Sequence, residues 1–132
     1  MVTDAIAAMG LGNGIHALGG MSVCIQGDRA TLSASDTLAG SVVSMDTCVQ
    51  RFKQFTGCSN GEALLCATLH PAIVLKRNVA KSKLIGAGVV DAPIGVLEVG
   101  ATADLLLLND DLEVLGTWVG GTKTFERASK LN

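Results

Sequence analysis

The chain has no tyrosine, one tryptophan and three phenylalanines in 132 residues. A surface that stacks nucleic-acid bases needs aromatic faces, and none is expected here. Charged residues are scarce at 17%, and 10 Lys and Arg against 12 Asp and Glu leave a net charge of −2. With no basic block, nothing points to nucleic acid or an anionic membrane as a partner. No apolar run approaches the ~20 residues that span a bilayer. The start has no charged stretch followed by an apolar one, so no signal peptide is expected. The four cysteines, Cys24, Cys48, Cys58 and Cys66, include no C-x-x-C pair. They sit inside apolar patterns, as buried thiols do, and a reducing, cytoplasmic compartment is the expectation. Of the two histidines, His16 lies in a Gly-rich loop and His70 at a helix junction. No internal repeat is found.

What is present is apolar: 48% of residues are hydrophobic, enough for a core in one domain or in pieces of two. The stretch Val2-Thr3-Asp4-Ala5 organises the rest. It reads as a strand over 1–4 that delivers one carboxylate to the point where regular structure stops. α/β barrels keep their chemistry at that mouth of a strand. By position alone, an Asp such as Asp4 is more often a helix cap or turn residue, by roughly three to one. Gly10-Leu11-Gly12-Asn13-Gly14 follows, and residues 6–20 read as loop.

A hairpin is expected from Ser22–Gln26 and Ala30–Ser33 around a turn at Gly27-Asp28-Arg29. In Asp36-Thr37-Leu38-Ala39-Gly40-Ser41, Gly40 lets another group approach its backbone, or the segment is an ordinary helix start capped by Ser41 or Ser44. A helix is expected over 42–56, with Met45, Val49, Phe52 and Phe55 as its apolar stripe and Gly57 as its stop. Ser59-Asn60-Gly61-Glu62 is a capping box for a second helix over 60–69. His70-Pro71 breaks it, and Pro71 at a first helical position starts a short third helix over 71–76. Residues 76–95 are the least regular, with a modest basic patch at Lys76, Arg77, Lys81 and Lys83. From 96 the texture is β: a buried strand over 103–108, a turn at Asn109-Asp110-Asp111, and strands Glu113–Val119 and Thr122–Glu126 about the two-residue turn Gly120-Gly121. The unit 103–127 is expected to stand apart from the helices, and the tail after Arg127 to fray.

Four segments in this order carry a resemblance: Val2-Thr3-Asp4-Ala5, Thr37-Leu38-Ala39-Gly40-Ser41, Ala67-Thr68-Leu69-His70-Pro71-Ala72, and Gly95-Val96-Leu97 with Gly100–Leu105. Together they resemble the C-terminal third of the N-acetylglucosamine-6-phosphate deacetylase family of amidohydrolases, nearer its animal than its bacterial members. Each segment alone is weak; the order and spacing are specific.

The resemblance implies an α/β fold class. It implies the last strand and following helices of a metal-dependent (β/α)8 barrel over 1–78, a loop or insertion over 79–95, and part of a small β-sandwich over 96–132. It implies hydrolysis of N-acetylglucosamine 6-phosphate to glucosamine 6-phosphate and acetate. Asp4 falls on the catalytic acid, which takes a proton from water and passes it to the leaving amine. Leu38, Ala39 and Gly40 fall on the segment lining the sugar pocket. A divalent metal ion is the implied cofactor, its Glu and two His ligands expected upstream of this chain, so the chain alone is expected to be inactive. The implied partner is a small-molecule amino-sugar phosphate, with a homodimer one option for the full-length form. Asp36-Thr37 departs from the Gly-Thr of many members, and 77–94 is longer than their connection. Two further readings are a non-catalytic relative that binds sugar phosphate or pairs with a full-length subunit, and an amidohydrolase for another N-acyl amino sugar.

Overall fold

A computed structural model describes residues 1–75 and 92–128. The expected insertion over 79–95 and the basic patch at 76–83 lie almost wholly outside the described residues, as does the end of the frayed tail. The chain forms two compact units, Val2–Cys48 and Met1 with Val49–Asn132.

In the first unit, β1 (Gly14–Leu18), β2 (Met21–Gln26), β3 (Arg29–Leu32) and β4 (Leu38–Ser41) make an antiparallel sheet in chain order. The alternation in β2 buries Val23 and Ile25, which meet Ala30 of β3 and Ala8 in one core. Ile6, Leu18, Leu32, Ala39 and Val42 pack around that core. The expected β2–β3 hairpin is present, with Gln26 opposite Arg29.

Two expectations here are corrected. Residues 6–20 are not all loop, because β1 pairs along its length with β2 through a turn at Gly19 and Gly20. Both glycines have positive φ, as a two-residue hairpin turn of the primed type requires. Three of the five β1 residues are exposed, so burial leaves no pattern there to read. Residues 1–4 are not a strand; only Ala5 pairs, in an isolated parallel bridge to Ser41. A strand exists by its ladder partners, and no described strand lies beside residues 1–4. Residues 38–41 form β4 rather than a helix start. The helix α1 (Met45–Thr56) begins three residues later than expected, the Ser44 carbonyl accepting from the Cys48 amide.

In the second unit, the helical part is α1 beyond Cys48, α2 (Asn60–Leu65) and α3 (Leu69–Val74). The Gly57 amide closes α1 on the Lys53 carbonyl at 2.8 Å. The capping box is formed: the Glu62 amide donates to Ser59 Oγ, and Glu62 Oε2 accepts from the Ser59 amide at 2.9 Å. The second helix ends at Leu65 rather than 69, and the interruption falls at 66–68, one turn before Pro71. A proline ring clashes with the carbonyl four residues back, here that of Ala67, so the helix breaks ahead of the proline. Thr68 Oγ1 meanwhile bonds back to the Leu64 carbonyl at 2.8 Å. Pro71 is thus the third residue of α3, within the first turn, where it is tolerated.

β5 (Leu105–Leu108), β6 (Val114–Val119) and β7 (Thr122–Glu126) form an antiparallel sheet in that order. The Gly120-Gly121 turn and the Asn109 turn are as expected. Asn109 Oδ1 accepts from the Asp111 and Glu113 amides. Two readings change. The sheet does not stand apart from the helices. Leu112 is buried with Val49 and Ala63, and Leu108 and Phe52 pack against them. Gln50 Nε2 donates to the Leu112 carbonyl, and Asn60 Nδ2 to that of Asp110. The strand expected to be buried over 103–108 begins at Leu105, and Leu106 and Leu107 are each 53% exposed. β5 is the edge of a three-stranded sheet, so no described strand covers its outer side. Of the α1 stripe, Val49 is buried, Phe52 half-buried, and Met45 and Phe55 exposed.

Candidate functional site

Asp4 is an exposed residue with φ +48, a left-handed conformation that Asp adopts more readily than most. The chain on its C-terminal side is tied down at once. Ala5 bridges Ser41, and the Ile6 amide donates to the Ser41 carbonyl at 2.9 Å. Residues 6–11 then turn back on themselves through Met9 to Ile6 and Leu11 to Ala8 backbone bonds, with Ala8 sealed in the core.

The bridge brings two sequence-derived groups together. Asp4 stands one residue before it on one segment, and Gly40 one residue before it on β4. Leu38 points outward, 64% exposed, while the Ala39 methyl packs on the core. Side chains alternate along a strand, so the two cannot present side chains on one face. Gly40 faces Ile6 closely enough that a Cβ there would overlap the Ile6 Cγ2 methyl.

Other groups went unread in the sequence. Asn13 Oδ1 accepts the Gly27 amide at 2.8 Å, and His16 Nε2 lies 3.0 Å from the Gly12 carbonyl. Together they hold the Gly10–Gly14 loop against the hairpin. Asn13 between two glycines was a turn signal; Ile6 and Ser41 carried no local signal. His70 lies in the second unit, exposed on α3. Among the described residues, no group of three or more His, Cys, Asp or Glu could hold a metal ion. Asp4 therefore belongs to no such group among the described residues.

Comparison with known proteins shows what the chain is similar to. No protein-family model matches the chain. The N-acetylglucosamine-6-phosphate deacetylases of Bos taurus and Homo sapiens are 44% and 45% identical over 121 residues, 92% of this chain. The putative N-acetylgalactosamine-6-phosphate deacetylase of Escherichia coli is 33% identical over 92% of the chain and 64% of its own length. The crystal structure of N-acetylglucosamine-6-phosphate deacetylase from Thermotoga maritima matches 96% of the chain with a TM-score of 0.74 at 32% identity. That from Pasteurella multocida matches 93% with a TM-score of 0.73. Each of these relatives is named an amino-sugar-phosphate deacetylase. The chain is similar over nearly its whole length to a C-terminal part of the N-acetylglucosamine-6-phosphate deacetylases. It spans about a quarter of the length of the mammalian relatives, 26%.

Proposed function

We propose that the chain is the C-terminal part of a longer, cytoplasmic enzyme of amino-sugar catabolism. The full-length polypeptide hydrolyses N-acetylglucosamine 6-phosphate to glucosamine 6-phosphate and acetate. The observation that carries this is the match at 44% to 45% identity across 92% of the chain, with Asp4 and Gly40 held about one bridge. The second unit's sheet is read as part of a small β-sandwich, and the start of the chain as the close of a (β/α)8 barrel whose other strands lie in the remainder.

In this reading Asp4 is the proton shuttle. An amide carbonyl resists attack, and its amine leaves badly unless protonated. As water adds to the acetamide carbon, the Asp4 carboxylate accepts the water's proton. The same proton passes to the nitrogen as the C–N bond breaks, giving a free amine and acetic acid, which loses its proton to give acetate. Leu38, Ala39 and Gly40 line the sugar pocket. Because Ala39 turns its methyl into the core, its contribution there is backbone. The divalent metal of such enzymes lowers the pKa of water to ~7 and polarises the carbonyl. The described residues of this chain do not form its site, and its ligands are assigned to the remainder of the longer polypeptide.

The test is acetate release from N-acetylglucosamine 6-phosphate by the full-length polypeptide. Turnover is expected there and not with the 132-residue chain alone, whatever divalent metal is added. A well-folded full-length protein that binds the sugar phosphate without turning it over would replace this reading with the non-catalytic one.

A further inference from the structure

The same two residues that flank the bridge suggest a role for β4 beyond lining a pocket. Asp4 is exposed, so its own side chain does little to hold it in place. What fixes it is the segment that follows, and that segment is fixed by β4. Two contacts do this. Within the Ala5–Ser41 bridge the Ile6 amide donates to the Ser41 carbonyl at 2.9 Å, and the Ile6 side chain closes onto Gly40. The second is open only to glycine. Any Cβ at 40 would overlap the Ile6 Cγ2 methyl, and φ there is +147, which L side chains rarely adopt. Behind the contact, Ile6, Ala39 and Val42 pack against the core of Ala8, Val23, Ile25 and Ala30, so the seat is backed by core rather than by water.

We propose that Gly40 and Ser41 are positioning residues for Asp4. Gly40 lets Ile6 seat on β4, Ser41 clamps the Ile6 amide, and the carboxylate two residues ahead is thereby held for proton transfer. This rests on the assignment of Asp4 as the shuttle. It makes Gly40 a determinant of turnover, whereas a residue that only contacts the sugar determines affinity.

The experiment uses the full-length polypeptide with Gly40→Ala, Ile6→Ala and the double variant. Gly61→Ala serves as control, since Gly61 has open space and no positive φ. The readouts are kcat and KM for N-acetylglucosamine 6-phosphate and the hydrogen exchange of the Ile6 amide. Gly40→Ala is expected to lower kcat roughly 10-fold or more, with any rise in KM smaller than that, as small misplacements of a reacting group do. The Ile6 amide should exchange faster. Adding Ile6→Ala should restore part of kcat: it removes Cγ2, while the Ile6 Cβ sits at 3.7 Å from the new methyl, an ordinary contact. Recovery stays incomplete because the φ strain remains.

A raised KM with kcat intact would make Gly40 a sugar contact only and overturn the proposal. So would unchanged kinetics, or a lower melting temperature with kcat per folded molecule unchanged. Should Gly40→Ala not fold, Ile6→Ala alone carries the test, since it shortens the group seated on Gly40. A fall in kcat at constant KM supports the proposal, and an unchanged kcat overturns it. An inactive wild-type protein would instead remove the function itself, and this inference with it.

Discussion

A Cβ placed on Gly95 would sit 2.7 Å from the carbonyl oxygen of Thr68 and 3.0 Å from the Ala72 methyl. This approach packs the chain at Gly95 against the start of α3. Gly95 also has φ +77, so alanine there meets both a backbone wall and a strained conformation. Overpacking of this kind costs about 1–3 kcal/mol. The Ala72 amide donates to that same Thr68 carbonyl at 3.2 Å and reports the damage. In Gly95→Ala its hydrogen exchange should accelerate roughly 10-fold or more; unchanged protection would mean the contact is not tight.

Asp4 separates two kinds of role. Asparagine keeps the shape and accepts the left-handed conformation, but it cannot carry a proton between water and amine. In the full-length polypeptide, Asp4→Asn should cut turnover by a factor of roughly 10² or more while the melting temperature holds. If Asp4 were only a turn residue, turnover per folded molecule would be unchanged. Turnover measured beside a melting curve decides between the two.

Glu62 ties acid to the α2 start. The backbone amide of Ser59, then its hydroxyl, hold the Glu62 carboxyl below its ordinary range. A carboxylate with a depressed folded pKa stabilises above its unfolded pKa and loses that contribution as pH falls through the folded one. The first turn of α2 should therefore stay capped at neutral pH and fray only in acid below the usual Glu range. Ser59→Ala removes the hydroxyl and keeps the larger backbone contribution, so it should move the Glu62 titration part of the way back up, followed by NMR of the side-chain carboxyl. A midpoint that does not move would show that the hydroxyl bond does not form in solution.

The chain alone should associate. Leu97, Val99, Leu106 and Leu107 are exposed on the second unit, together with Ile73, Val74 and Leu75 at the end of α3. Apolar surface of that extent marks a contact face or an aggregation liability. Sedimentation should show self-association, and a hydrophobic dye should bind strongly. A monodisperse chain with a single cooperative unfolding transition and little dye binding would count against its being part of a larger protein.

The 132 residues by themselves determined whatever depends on near neighbours. The Ser59–Glu62 box, the Gly57 stop, the Asn109 turn and the Gly120-Gly121 hairpin each close between groups two to four residues apart, so their chemistry is legible in order. The Gly19-Gly20 pair offered the same hairpin signal, but β1 lacks an alternating burial pattern to confirm it. Asp4 stood out as an acid between an apolar run and a glycine-rich loop, and the order of the four motif segments pointed to the family. Tertiary structure decided the rest. The seat of Ile6 on Gly40 joins residues 34 positions apart, and Leu112 enters the helical core at φ +61. The leucines of β5 read as buried because a run of apolar residues resembles a core strand. Burial, though, belongs to the layers that cover a strand, and among the described residues Leu106 and Leu107 are left exposed.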